Sequence, residues 1–269
     1  MKVNVKAMAD AILDKVKAEH VSKALMVISV GENEASQSYI RSKERACEYC
    51  GIPFKHIHMD ESLASNADVL CCIHNANEDN DVGGIILQLP LPAGFDENIA
   101  QAIRPKKDVD GLVKHSKFNP CTPEGVIYIM KQYFGSDLTG KEVLIIGRGK
   151  LVGEPLRKML DKENCTVAVK HSKSNPDFGT VGQFGTVHWD CIVSATPVIN
   201  SECDFDYDAG LWIDCGIGRG VDGRLHGNLM HDDACEMAYT PVPGGVGLMT
   251  VAMLMAHMAK TMNKDFEVK

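Results

Sequence analysis

A short apolar strand runs straight into a glycine-rich turn near the middle of the chain, and few folds contain this combination. The strand reads EVLIIG, and the turn from Gly147 to Gly153 reads GRGKLVG. A helical pattern over Pro155 to Leu160 and a second apolar strand, TVAVKH, come next, with further strands predicted at Asp190 to Ala195 and Leu211 to Asp214. Strand, helix and strand in this order form the βαβ unit of a parallel sheet. The sequence therefore predicts an α/β fold here.

The first half of the chain alternates between helices and strands in the same way. Apolar residues at helical spacing from Val5 to Val16 predict an amphipathic N-terminal helix. The predicted strands are Ala24 to Val30, Phe54 to Met59 and Gly84 to Leu89, and the predicted helices are Ser36 to Cys50 and Leu63 to Asn75. This order implies a second parallel sheet with helical crossovers.

The chain is predicted to divide into two lobes. Thr122-Pro123-Glu124 is a capped helix start, and this linker helix runs to about Phe134. The last helix, from Leu248, carries no charge up to Ala259 and is predicted to return to the first lobe. The first lobe then comprises residues 1–120 and 246–269, and the second comprises residues 121–245.

The composition argues against several classes of function. With 28 Lys+Arg against 36 Asp+Glu, the formal net charge is −8, whereas nucleic-acid and anionic-membrane surfaces need clustered cations. Ala238 to Ala259 is uncharged, but only its second half is apolar and helical, short of the ~20 residues of a membrane span. The ten cysteines, without an apolar leader over Met1 to Asp10, fit reduced thiols in the cytoplasm. We expect no nucleic-acid partner and no membrane.

A metal site is not predicted either. Cys47 and Cys50 precede His56 and His58, but zinc needs four converging ligands. The two cysteines fall in a helical pattern as small core residues, and no second cysteine pair completes a known spacing.

The glycine-rich turn has two interpretations. Its glycines would let the backbone approach the pyrophosphate of a dinucleotide at a helix N-terminus, but such a turn also occurs for packing alone. The spacing G-x-G-x-x-x-G is one residue longer than the usual fingerprint. The next strand ends in Lys170-His171-Ser172-Lys173 without the carboxylate that holds the ribose of NAD. These cations and Arg148 favour the 2′-phosphate of NADP over NAD, unless they form a solvated basic loop.

Polar side chains of the first lobe suggest chemistry near the strand ends. Tyr39 and Lys43 are four residues apart on one helix face, where they form either a substrate-stacking and proton-carrying pair or an exposed pair. Gln88 ends a predicted strand. Asp108 and Asp110 follow later in the chain, and their carboxylates either bind an amino-heterocycle or cap a turn. A rigid-then-flexible loop, PVPGGVG, precedes the last helix, and it either closes over a ligand or redirects the chain.

Taken together, these segments resemble the bifunctional methylenetetrahydrofolate dehydrogenase/cyclohydrolase family. The matching stretches occur in the family's order and read VGENEASQSYIRSKERACEYCGI, GGIILQLPLP, KKDVDG, PCTPEG, VLIIGRGKLVGEP and TPVPGGVGLMT. The resemblance implies a folate-binding catalytic lobe, a Rossmann-like NADP-binding lobe and a cleft between them. It also implies a cytosolic homodimer that oxidises methylene-tetrahydrofolate to the methenyl form with NADP and then hydrolyses that form to formyl-tetrahydrofolate.

The resemblance assigns roles to residues by motif. Lys43 would be the central catalytic residue, Tyr39 would stack on the folate, Gln88 would hydrogen-bond Lys43, and Asp110 would bind the pterin edge. The remaining folate contacts would be Leu89, Pro243, Gly244, Gly245 and Gly247. The cofactor contacts would be Gly147, Arg148, Gly149, Ser172 and Ile217.

Several positions depart from the family pattern. Gly149 stands where the family usually has Ser, Pro197 where it has Gly, Asn228 where it has Asp, and Leu248 where it has Pro. Because most of these lie in the second lobe, two alternatives stay open. One is a cyclohydrolase with weak or lost dehydrogenase activity, and the other is a folate-binding protein without turnover.

Overall fold

The computed structural model describes residues 1–174, 188–196, 208–219, 224–228 and 237–268. It divides into two compact units. The first unit is Ala9–Cys121 with Val251–Lys269, and the second unit is Met1–Met8 with Thr122–Thr250. Both are built from parallel sheets and helices, so the predicted α/β class is confirmed.

The first unit has a three-stranded parallel sheet in the order β2-β1-β3. Asp108 adds an isolated parallel bridge to Ile85 of β3 at the free edge. The elements along this part of the chain are α1 (Val5–Ala18), β1 (Ala24–Val30), α2 (Glu34–Cys50), β2 (Phe54–Met59), α3 (Asn66–Glu78), β3 (Val82–Leu87) and a 3₁₀ helix (Glu97–Ala102).

The core of the first unit is formed around β1, whose seven residues are all buried. Met26, Ile28 and Val30 alternate along one face and pack against apolar residues of α3, such as Val69 and Ile73. Burial on both faces explains why β1 is almost entirely apolar rather than alternating, with Ser29 as its one polar residue. Because β1 is the central strand and pairs with β3 in parallel, the carboxyl ends of these two strands lie side by side.

The second unit has five parallel strands in the order β10-β7-β6-β4-β5. From β4 the chain passes to β5 on one side and to β6 on the other, so the strand order reverses between β4 and β6, the point at which ligands of open α/β sheets bind. The elements along this part of the chain are α4 (Cys121–Phe134), β4 (Glu142–Ile146), α5 (Gly153–Lys162), β5 (Thr166–Lys170), β6 (His188–Ser194), β7 (Asp208–Asp214), β8 (Gly218–Arg219), β9 (Leu225–His226), β10 (Ala238–Tyr239) and α6 (Val246–Met262). β8 and β9 pair with each other antiparallel, and α6 belongs to the first unit from Val251 onward.

The unit boundaries differ from the predicted ones at the N-terminus. Residues 1–8 group with the second unit because Val3 donates to the Tyr239 carbonyl at 2.8 Å and Tyr239 donates to the Met1 carbonyl at 2.9 Å. Helical periodicity could not reveal this pairing with a strand more than 230 residues away. Among the helices in the described parts of the chain, none combines the length and the apolar character that crossing a membrane requires.

Candidate functional site

Lys43 lies on the buried face of α2. The helix begins at an Asn33 cap, whose side chain accepts from the Ser36 N–H at 3.0 Å, and it ends at Gly51, whose φ of +72° suits glycine. This face also carries Ile40 and Cys47, at the i, i+3 and i+4 spacing of a helix. Lys43 is only 8% exposed, although lysine is seldom buried without a partner.

The partner of Lys43 is Gln88. The Lys43 Nζ donates to the Gln88 Oε1 at 2.8 Å. The Gln88 side chain is fixed at its other end, because its Nε2 donates to the Leu89 carbonyl at 2.8 Å, and its backbone N–H donates to Ile28 of β1 at 2.8 Å. The structure therefore brings together the predicted pair, although β3 ends at Leu87 and Gln88 is the first residue beyond the strand.

Two features of the surroundings of Lys43 shift the pKa of its side chain in opposite directions. Burial lowers the pKa of its ammonium below the ordinary value of 10.5, because a charged amine loses hydration there. The charge of Asp110 acts in the opposite sense and raises this pKa, followed by smaller contributions from Cys121 and Cys47. A buried amine with a lowered pKa beside one carboxylate can both accept and return a proton, which is what general acid–base catalysis needs.

The two aspartates after β3 have different roles. Asp108 is 2% exposed, and its Oδ2 accepts from the Val113 N–H at 2.9 Å, so this carboxylate is a structural cap. Asp110 is half-buried and its charge acts on Lys43. Gly111 follows with φ of +74°, and a Cβ there would lie 2.1 Å from the Asn119 carbonyl oxygen, so only glycine fits this turn.

The other predicted folate contacts are placed as follows. Tyr39 is half-buried on α2, one turn before Lys43, and Leu89 is half-buried beside Gln88. In the loop before α6, Pro243 and Gly244 are exposed, whereas Gly245 is buried with no room for a Cβ, which would lie 2.3 Å from the Pro241 carbonyl oxygen; Gly247 is exposed in the first turn of α6. Their roles toward folate stay predictions.

The glycines of the glycine-rich turn in the second unit differ in how closely they are packed. Gly147 has φ of +112°, and a Cβ there would lie 2.7 Å from the Ala195 carbonyl oxygen; a Cβ at Gly153 would lie 2.2 Å from the Gly147 carbonyl oxygen. Both glycines are thus required by packing, whereas Gly149 is exposed and a Cβ would contact nothing within 4 Å. The exposed middle of the turn, including Arg148, leads into the N-terminus of α5, the geometry that binds phosphates.

The end of β5 carries the residues predicted to choose the cofactor. The turn from His171 to Ser174 follows Lys170 directly and contains no carboxylate. Within it, His171 Nδ1 accepts from the Lys173 N–H at 3.2 Å, while Ser172 and Lys173 are exposed. Ile217, the remaining predicted contact, is 40% exposed.

A hydrogen-bond network that no local sequence pattern indicates joins the ends of β6 and β7. The Asn228 Nδ2 donates to the Ser194 Oγ at 2.7 Å and to the Thr196 carbonyl at 3.0 Å. The carboxylate of Asp214, 2% exposed, accepts from the backbone N–H groups of Asn228 and of Gly216, the latter at 2.9 Å. Asn228 is one of the departures from the family pattern, and Pro197, another of them, lies outside the described residues.

In the part of the chain that the structure describes, no group of three or more His, Cys, Asp or Glu side chains is arranged so that it could hold a metal ion. His56 Nε2 and His58 Nδ1 instead lie 2.8 and 3.2 Å from the Ser29 Oγ, and Cys47 lies near the Met255 sulfur.

Two family models match the chain in the order of its two units. Residues 3–110 match the catalytic domain of tetrahydrofolate dehydrogenase/cyclohydrolase, and residues 120–266 match the NAD(P)-binding domain of the same enzymes. Together the two models cover nearly the whole sequence.

Individual relatives agree with the family models. The bifunctional protein FolD of Agathobacter rectalis is 36% identical over 262 residues, which are 93% of this chain and 92% of the relative. The crystal structure of FolD from Campylobacter jejuni superposes with a TM-score of 0.88 at 33% identity, covering 98% of this chain and 99% of that one. A Trypanosoma brucei structure, described as complexed with NADP cofactor and inhibitor, superposes with a TM-score of 0.83 at 27% identity, covering 98% and 97%.

Proposed function

The chain belongs to the tetrahydrofolate dehydrogenase/cyclohydrolase family, and from this premise we propose that Lys43 carries the protons of its hydrolytic step and that NADP serves its oxidative step. It has the two activities of that family, methylene-tetrahydrofolate dehydrogenase and methenyl-tetrahydrofolate cyclohydrolase. Sequence-based recognition of the family, its class of enzyme and its folate substrates is thereby confirmed. The hydrogen bond from Lys43 to Gln88 is the observation on which the catalytic part of the proposal depends.

The hydrolytic step needs a group that moves protons. Water adds to the electron-poor methenyl carbon, and a base must accept a proton from that water; the carbon–nitrogen bond that then breaks needs a proton on its nitrogen. A neutral Lys43 amine serves as the base, and the resulting ammonium returns the proton. Gln88 supports both states, since its Oε1 accepts from the amine and from the ammonium alike.

The oxidative step needs chiefly the positioning of two rings. NADP, when bound, accepts the hydride that leaves the methylene carbon. The backbone of the turn from Gly147 to Gly153 and the N-terminus of α5 would hold its pyrophosphate. The 2′-phosphate would be contacted by Arg148, Ser172 and Lys173. This assignment is supported by the turn after β5, which contains no carboxylate to repel a phosphate.

The NADP preference can be tested by one change of charge. We expect the Lys173→Gln variant to lose about fivefold in kcat/KM for NADP, because an exposed ion pair contributes up to ~1 kcal/mol, and to keep its kcat/KM for NAD. Lys162→Gln is the matched control. It removes the same charge from the C-terminal end of α5, whereas the proposed pyrophosphate site is at the N-terminal end of that helix. Initial rates with both cofactors measure this, and equal losses for NADP and NAD would contradict the assignment.

The role of Asp110 can be tested by its removal. Asp110→Ala should weaken tetrahydrofolate binding about 10- to 100-fold, because hydrogen bonds to a charged group contribute ~1.5–3 kcal/mol, and leave NADP binding unchanged. Calorimetric titration of each ligand separately gives both affinities, with the thermal midpoint as the control for folding. Similar losses for the two ligands would count against a pterin contact.

We also propose that the protein is a homodimer, as the resemblance to the family implies. Light scattering on the purified protein gives the mass directly, and a mass near 29.3 kDa at micromolar concentration would contradict a dimer.

A further inference from the structure

A buried histidine that the chemistry above does not use lies next to the peptide that carries Asp110. His257, on the part of α6 that belongs to the first unit, is 1% exposed. Its Nδ1 lies 2.8 Å from the carbonyl oxygen of Val109, and because a carbonyl only accepts, Nδ1 carries the hydrogen. The ring of Phe118 stacks on the imidazole with centroids 4.7 Å apart, so the orientation of the histidine is fixed.

Cys121 completes the arrangement from the other side. Its Sγ lies 3.3 Å from the same Val109 carbonyl oxygen and 3.5 Å from the His257 Nδ1. Its backbone N–H donates to the Asp110 carbonyl at 3.2 Å. The two carbonyl groups that flank the Asp110 Cα are therefore both held by hydrogen bonds, one chiefly by His257 and the other by Cys121. Fixing both peptide planes leaves the Asp110 side chain few directions in which to point.

We propose that His257 is a positioning residue for Asp110 and so determines folate affinity without contacting folate. The proposal rests on the proposed function, in which Asp110 binds the pterin edge. A contact group held in its productive direction before binding loses less freedom when the ligand arrives, and this gain appears as affinity. Without the imidazole N–H, the weak thiol of Cys121 is the donor left to the Val109 carbonyl among the described residues, and the Asp110 peptide can rotate.

The test compares two replacements of His257. His257→Phe keeps an aromatic ring against Phe118 and removes the donor, whereas His257→Asn keeps an N–H donor at the position of Nδ1. We expect His257→Phe to weaken tetrahydrofolate binding about tenfold, since the Asp110 peptide is then no longer held in its binding direction before the ligand arrives, and His257→Asn to recover most of that loss. NADP affinity, measured on the same samples, should not change with either variant.

A double-mutant cycle separates positioning from a general loss of structure. In the Asp110→Ala background, His257→Phe should have almost no further effect on tetrahydrofolate affinity, because the group that it positions is gone. The same tenfold loss in both backgrounds would overturn the proposal. If His257→Phe does not fold, Cys121→Ala, which removes the other side-chain donor to Val109, is placed in the same cycle with the same criterion.

The cycle also distinguishes failure of this inference from failure of the proposed function. If Asp110→Ala alone leaves tetrahydrofolate affinity intact, the pterin role of Asp110 is wrong and the inference falls with it. If Asp110→Ala weakens binding but the effect of His257→Phe is additive, the pterin role stands and only the inference is overturned.

Discussion

Replacing Lys43 with methionine is expected to slow the hydrolysis of methenyl-tetrahydrofolate by at least about 100-fold, because a positioned general acid–base group contributes ~10²–10⁴ in rate. Methionine keeps most of the buried volume and removes only the amine that donates to Gln88. The loss should appear in kcat, measured by the absorbance of the methenyl substrate. Hydrolysis that survives within a few-fold of the wild-type rate would show that Lys43 is not the proton carrier.

Lys107 provides a matched control for this experiment. It is also 8% exposed in the first unit, but its Nζ donates to the backbone carbonyls of Ala76 and Asp79, at 2.9 and 2.6 Å. Lys107→Met should therefore lower the thermal midpoint, since it leaves two carbonyls without this donor, while the folded enzyme keeps its rate of hydrolysis. Lys43→Met should instead lose rate with a smaller change in the thermal midpoint, because removal of a costly buried amine offsets the loss of the donor to the Gln88 Oε1.

The pH profile of the wild-type enzyme gives a second check on Lys43. If the neutral amine is the base, kcat/KM for hydrolysis rises with pH through the pKa of Lys43, which burial lowers from its ordinary value of 10.5. Because the charge of Asp110 raises this pKa, Asp110→Asn should move the rising limb to lower pH. A limb that moves to higher pH, or a profile without this limb in wild type, would contradict the assignment.

The second large effect is expected at Gly147. An alanine there would have to adopt φ of +112°, and its Cβ would lie 2.7 Å from both the Ala195 carbonyl oxygen and the Thr196 Cγ2. Either the turn or the end of β6 must move, and a displacement of ~1 Å at a reacting group can cost ~100-fold in rate. We expect Gly147→Ala to lose about that factor in dehydrogenase kcat/KM, while hydrolysis measured without cofactor is retained.

Gly149→Ala is the comparison for stability within the same turn. An alanine Cβ at position 149 would meet no protein atom within 4 Å, and the backbone there has no positive φ. The thermal midpoint of Gly149→Ala should therefore match that of the wild type, whereas the midpoint of Gly147→Ala should fall. Any loss of NADP affinity in Gly149→Ala then reports a contact with the cofactor itself. If Gly147→Ala keeps full dehydrogenase activity, the turn does not bind the pyrophosphate as proposed.

The elements could be predicted because each has a local cause. The almost entirely apolar run of β1 follows from burial on both faces, and the end of α2 follows from Gly51 in the left-handed conformation. The pairing of Lys43 with Gln88 came from the family resemblance, because 45 residues of sequence separate the two side chains and no periodicity relates them.

What could not be predicted depends on distant hydrogen bonds. The link from Val3 to Tyr239, the network of Asn228 and the bond from His257 to Val109 each join residues that no local pattern connects. The two aspartates show the same limit, since a cap and a ligand-binding carboxylate have identical signals in KDVDG. The hydrogen bond from the Val113 N–H to the Asp108 carboxylate identifies Asp108 as the cap, and this contact is visible only in the folded structure.

The order of segments in the first unit has a consequence for synthesis of the chain. Residues 251–269, which complete this unit, follow the whole of the second unit along the chain, and a Cβ at Gly84 would lie 2.5 Å from the Met258 sulfur, so α6 and β3 are in close contact. During translation, Ala9–Cys121 leaves the ribosome long before Met258 and His257 exist, with the surface of β3 uncovered. A nascent chain stopped before residue 251 therefore has Lys43 and Asp110 but lacks His257 and its hydrogen bond to the Val109 carbonyl, so under the proposed roles of these residues folate would stabilise this unit fully only once α6 has been made.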